Sequence, residues 1–123
     1  MKLVFNGKYK TYYNHCVESY FTFVKNGKKT IEGRIKKGWY KHINLGDHII
    51  IYNKEETDNI EVLVKDVRTY FSFKEMLETE PLAKILPDAE SVDHGIKIYK
   101  QFYDSKQEKQ FEVIALEIER VCR

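Results

Sequence analysis

Cysteine and proline are scarce in this chain, with two of each in 123 residues. Cys16 and Cys122 cannot supply a disulfide framework, and in a reducing compartment they read as small buried hydrophobes. With so few prolines and six scattered glycines, no linker, repeat or low-complexity tract divides the chain, so residues 1–123 read as one domain. Long apolar runs are missing too. Stretches such as Ile49-Ile50-Ile51 fall far short of the roughly 20 residues that span a bilayer. Met1–Lys8 has no apolar core followed by a small-residue cleavage site, so no secretory signal is expected and an intracellular location, cytoplasmic or nuclear, is. There is no glycine-rich phosphate loop and no nucleophile elbow. None of His15, His42, His48 and His94 stands at ligand spacing from a cysteine, so neither a metal nor another cofactor is expected.

The chain does have enough apolar and aromatic residues, 42% and 14%, to build a core, and charges on a third of its positions to keep the surface wet. The net charge of +2 conceals an asymmetry. Lys25 to Lys41 contains seven bases and one acid, Glu32, so this stretch carries +6 and the remainder −4. Such a division is expected of a domain with one anion-facing side. The acidic remainder offers a surface for a protein partner.

Tyr13, Cys16, Val17, Tyr20, Phe21 and Val24 recur at helical spacing, and Asn26-Gly27 suits a left-handed C-cap, which predicts one helix ending there. Leu3-Val4-Phe5 reads as a short edge strand turned by Asn6-Gly7. From Thr30 to Ile35 the period becomes two, with Ile31, Gly33 and Ile35 on one face and Thr30, Glu32 and Arg34 on the other. Leu45-Gly46-Asp47 predicts a turn into a strand over His48–Tyr52, and Asn53–Asn59 an exposed hairpin loop. Ile60, Val62 and Val64 alternate along a further strand whose phase slips near Lys65-Asp66, as at a bulge. Ser72-Phe73-Lys74-Glu75 predicts a capped helix with Phe73, Met76 and Leu77 inward. Glu80-Pro81 opens a turn carrying Leu82, Ile85 and Leu86. Ser91 caps a helix with Val92, Ile96, Tyr99 and Tyr103 on one side. Phe111–Ile118, apolar on both faces, predicts a central closing strand. The elements imply an α+β fold, a small barrel or curved sheet of about five to six strands with peripheral helices.

The chemistry concentrates in Gly27-Lys28-Lys29-Thr30-Ile31-Glu32-Gly33-Arg34. A cationic turn enters a strand, and a carboxylate and a guanidinium follow at i and i+2 on one face. Glu32 can accept from a base amino group, and Arg34 can present its planar fork to phosphate or carboxylate, or stack on a base. The same spacing also describes an ordinary surface ion pair, contributing about 0–1 kcal/mol. Lys36, Lys37 and Lys41 continue the basic run around Trp39 and Tyr40, where aromatic rings among cations can stack bases while the cations hold phosphates.

The pattern Gly27-x-Lys29-x-x-Glu32-x-Arg34, with Gly46-Asp47 beyond it, resembles the signature of the ASCH domain, a PUA-like β-barrel family. The similarity extends through Tyr70–Phe73, Leu82–Pro87, Ile96–Tyr103 and Val113-Ile114-Ala115. The resemblance implies a barrel with a cleft lined by Lys29, Glu32 and Arg34 that binds single-stranded RNA or a nucleotide-like ligand, with Lys28, Lys36, Lys37, Trp39 and Lys41 beside it. A bacterial branch of the family implies an alternative, an amidohydrolase acting on N4-acylated cytidine through a lysine, a threonine and a glutamate. That lysine falls on Lys29, and the threonine falls on Glu32, which has no hydroxyl and leaves Thr30 as a substitute. The glutamate is matched by Glu78, Glu80 or Glu90.

Overall fold

A computed structural model of the chain describes residues 9–121. The strand and turn expected over Leu3–Gly7 lie outside the described residues, as does Cys122. Strand β1 (Thr11–Cys16) is followed by helix α1 (Tyr20–Lys25) and strand β2 (Ile31–Ile35), then by a 3₁₀ turn over Gly38–Lys41. Strands β3 (His48–Asn53) and β4 (Asn59–Tyr70) form a hairpin. Helices α2 (Phe73–Thr79), α3 (Leu82–Ile85), α4 (Val92–Lys100) and α5 (Ser105–Phe111) precede the last strand, β5 (Val113–Arg120).

The sheet runs β1-β3-β4-β5-β2, with β1 parallel to β3 and the other pairs antiparallel. β1 and β2 are its two edges, so it curls as a half-barrel of five strands and leaves a seam. β4 makes the curl possible. Its first residues pair with β3 and the rest with β5, and the register shifts between Val64 and Asp66, at the expected bulge. The turn before β3 is held by the Asp47 carboxylate. It is 2% exposed and accepts from Lys10 N at 2.9 Å and Asn44 N at 2.8 Å.

Two cores lie on the two faces of this sheet. Inside the curl are Phe21, Val24, Ile49, Ile51, Val62, Val64, Ile114, Leu116 and Ile118. Beneath α2 and α4 are Ile31, Ile35, Phe73, Met76, Leu77, Tyr99, Val113 and Ala115. β5 supplies alternate residues to both, which is why it is apolar on both faces. β2 differs: Ile31 and Ile35 go under the helices, while Glu32 and Arg34 occupy the face turned into the curl.

Three expectations are corrected. The predicted helix over Tyr13–Val24 begins only at Tyr20, and its first half is β1. There burial alternates, with Tyr13 61% exposed and Cys16 buried, because the β-prone run Thr11-Tyr12-Tyr13 pairs with β3. The closing strand starts at Val113, not Phe111. Phe111 ends α5, whose Asp104 and Gln107 form a reciprocal capping box. At α2, Ser72 Oγ accepts from Glu75 N, but the Glu75 carboxylate accepts from Phe71 N, so only half of the expected box forms. Among the described residues, no helix is long and apolar enough to cross a membrane.

Candidate functional site: a polar cleft in the seam of the sheet

A cleft of about 160 Å³ opens where β1 and β2 fail to meet. Its polar wall is Lys29, Glu32 and Arg34. The end of β1 (His15, Cys16) and Val17 form one side, Tyr20 of α1 another, and Leu86, Tyr99, Phe102 and Tyr103 the apolar cover. The volume is below the roughly 300–1,000 Å³ of drug-sized sites, so it suits a single ring or similar small group rather than a whole nucleotide.

Lys29 reaches the interior because the turn after α1 is tight. Gly27 has a φ of +82°, which favours glycine, and Lys29 N bonds back to Phe23 O at 2.9 Å. At 3% exposure its ammonium donates to Ile31 O (2.8 Å) and Ile85 O (2.6 Å) and pairs with Glu32 Oε1 at 3.3 Å. All three donors of the ammonium therefore have acceptors. Arg34 Nη2 donates to Glu32 Oε2 at 3.2 Å and to the backbone carbonyl of His15 at 3.0 Å. The second bond crosses the seam, so Arg34 ties edge to edge. Burial would raise the Glu32 carboxyl, but the charges of Lys29 and Arg34 and their hydrogen bonds outweigh it and hold the group below the usual range. Burial lowers and the Glu32 charge raises Arg34, with a net upward shift. The cleft thus presents a fixed carboxylate acceptor beside a guanidinium that, among the described residues, is bonded through Nη2. Burial first, then the Glu32 charge, push the Cys16 thiol up to about 12, so it serves as an apolar wall and not as a nucleophile.

The other residues of the motif are dispersed. Thr30 lines a separate depression with Lys84 and Arg120, outside the cleft. None of Glu78, Glu80 and Glu90 lines the cleft. Glu80 is instead clamped by Arg68, through Nε at 2.5 Å and Nη2 at 2.9 Å, and by the Tyr70 hydroxyl. Lys28 is exposed in the turn before β2. Lys36 donates to Thr69 Oγ1 at 3.3 Å. Lys37 and Lys41 lie over one ring, that of Phe111, at 5.3 and 5.6 Å. Trp39 is stacked on Tyr12 and Tyr40, so protein rings already occupy it.

Sequence reasoning missed three participants. Phe111, read as strand, is the ring that gathers two lysines. Phe102 lies on the lip of the cleft at 53% exposure, a large apolar group open to solvent. The Asp88 carboxylate bears on Tyr20, whose phenol burial and that carboxylate push up to about 12. Among the described residues, no group of three or more His, Cys, Asp and Glu is placed to hold a metal ion.

Fold and site define a curled-sheet α+β domain with a buried Lys–Glu–Arg constellation in its open seam. The ASCH domain model matches residues 15–121, and the chain belongs to the ASCH domain family. It is similar to the hypothetical protein PH0355, at 40% identity over 90% of this chain and 99% of that one, with a TM-score of 0.82. Protein PF0455 from Pyrococcus furiosus is 37% identical over 90% of this chain and 97% of its own, with a TM-score of 0.72. The ASCH domain from Lactobacillus crispatus shares the fold at 12% identity, with a TM-score of 0.61 over 93% of this chain and 82% of its own. No curated protein matches the chain.

Proposed function

We propose that this protein is an RNA- or nucleotide-binding module, with the seam cleft taking one polar, planar group of its ligand. The observation that carries the reading is the buried Lys29–Glu32–Arg34 constellation, which sets a carboxylate acceptor beside a guanidinium under an aromatic cover. That combination matches the donor and acceptor edge of a base. Lys37 and Lys41, gathered on Phe111 beyond the end of β2, are exposed cations suited to phosphates of the same strand. Family membership agrees with this reading, as ASCH domains are generally proposed to bind RNA.

The geometry favours binding over hydrolysis. A catalytic lysine needs a free donor or lone pair to offer, and the Lys29 ammonium is committed to two carbonyls and a carboxylate. Thr30, the available hydroxyl, opens elsewhere. Fluorescence anisotropy with short single-stranded RNA tests the proposal. Arg34→Ala is expected to weaken binding at least about tenfold, the loss of a charge-assisted contact, and Lys37→Ala more mildly. Unchanged affinity in both variants would overturn it.

A further inference from the structure

The turn that closes α4 sets one aromatic side chain apart from its neighbours. Tyr99 and Tyr103, four residues apart, pack inward, and both rings are stacked on Phe73, with centroids 4.1 and 5.3 Å away. Phe102 N and Tyr103 N each donate to Tyr99 O at 3.0 Å, so the backbone of the turn is pinned to a buried residue. Phe102 itself is more than half exposed, and among the described residues it stacks on no other ring. A rigid turn therefore carries an open apolar face.

A lone exposed aromatic is ordinary on a protein surface. The position of this one gives it a use. On one side Phe102 borders the seam cleft, together with Arg34, Tyr99 and Tyr103. On the other it borders an open depression of about 540 Å³ lined by Lys100, Gln101, Asp104 and Gln107. Phe102 and Tyr103 belong to both walls, so the two hollows meet at this pair of residues. Lys100 is exposed, and among the described residues no carboxylate pairs with its ammonium. The Asp104 carboxylate is engaged as the cap of α5, where it accepts from Gln107 N at 2.9 Å.

We propose that Phe102 is the stacking platform of a second subsite. The base next to the one held in the cleft lies on its ring, and the phosphate joining the two faces Lys100. The proposal rests on the cleft being the binding site argued above, and it narrows the ligand to single-stranded RNA of two or more nucleotides. At about 160 Å³ the cleft holds one ring, so a strand seated there continues over the lip that Phe102 forms. Stacking tolerates any base because every base has a π face. The polar wall of the cleft would then read one base while Phe102 accepts its neighbour without selection.

The test compares the wild type with Phe102→Ala, Phe102→Leu, Phe102→Tyr and Arg34→Ala. Calorimetry measures binding of the four ribonucleoside monophosphates and of short single-stranded RNA, and thermal unfolding is followed without ligand. Because Phe102 is exposed, its three variants should melt close to the wild type. Phe102→Ala and Phe102→Leu are expected to bind RNA about tenfold more weakly or worse, the loss of one stacked base. Phe102→Tyr, which keeps a ring, should retain the affinity. The preferred monophosphate should lose much less than RNA does in Phe102→Ala, since it has no second base. Lys100→Gln should make the slope of log K against log salt for RNA shallower by about 0.7. Wild-type RNA affinity in Phe102→Ala together with lost affinity in Arg34→Ala overturns this proposal and leaves the cleft reading standing. Equal losses for monophosphate and RNA in Phe102→Ala also overturn it, as does wild-type RNA affinity in Phe102→Leu, because Phe102 would then be only an apolar cover of the cleft. A wild type that binds neither monophosphates nor RNA overturns both readings.

Discussion

Glu32 is the residue on which the cleft depends, because it is the carboxylate shared by two cations. Lys29 and Glu32 are 3% and 6% exposed, so water does little for either. Their pairing offsets a desolvation cost that neither could bear alone. Truncation of Glu32 would leave the Lys29 ammonium with two carbonyls and no counter-charge. Glu32→Ala is therefore expected to lower the unfolding free energy by about 3–5 kcal/mol, read as a lower urea midpoint. A pH dependence follows from the same group. Burial raises Glu32, but Lys29 and Arg34 pull it further down, so its folded value lies below the unfolded value of about 4.3. Such a group contributes stability that is fully present above the unfolded value and is lost as pH falls through the folded one. Glu80 acts in the same sense: burial raises it, and its bonds from Arg68 and Tyr70 more than reverse that. Stability set by these two carboxylates should be level from neutrality to about pH 5 and decline below it. Glu32→Gln should flatten part of that decline, and acid unfolding followed by circular dichroism would show it.

At the scale of elements, the close approach of β2 and α4 is set by Gly33. A Cβ there would stand 2.6 Å from the Tyr99 hydroxyl oxygen and 2.7 Å from Met76 Cε. Met76 can flex, but Tyr99 is stacked on Phe73 with centroids 4.1 Å apart. Gly33→Ala should thus push α4 from the sheet and cost about 1–3 kcal/mol, visible as a lower melting temperature. Most of the packing around this contact was legible in the sequence. Phe73, Met76 and Leu77 and the Ser91-capped helix followed from capping residues and helical spacing, and the bulge followed from a break in alternation after Val64. The failure at β1 is as instructive. Tyr13, Cys16 and Tyr20 satisfy a helical template only because a strand and a helix meet end to end, and neither local spacing nor composition reveals that Thr11–Cys16 will find β3. Parallel pairing joins distant segments and leaves no local signature. α5 was missed for a different reason: it buries no residue, and its signal was the Asp104–Gln107 cap alone.

For the molecule as a whole, the sequence marked residues that the fold brings together but not the shape they form. The spacing of Lys29, Glu32 and Arg34 marked the residues that converge. Their burial could not be read, because it comes from the curl of a sheet whose edges stop short of closing. The basic run is likewise divided by the fold. Lys29 is consumed inside, Lys36 is turned to Thr69, and Lys37 and Lys41 meet on Phe111. The +6 counted along the segment therefore overstates the charge this face offers to any anionic partner. This has a measurable consequence for salt dependence. Each phosphate neutralised on a single strand contributes about −0.7 to the slope of log K against log salt. If Lys37 and Lys41 each neutralise one, a double substitution to glutamine should make the slope shallower by about 1.4. A mononucleotide bound in the cleft should be nearly indifferent to the same change. Anisotropy titrations of an RNA and a mononucleotide across a salt series would separate the two contributions. An RNA slope unchanged by the double substitution would place the phosphates elsewhere on the surface.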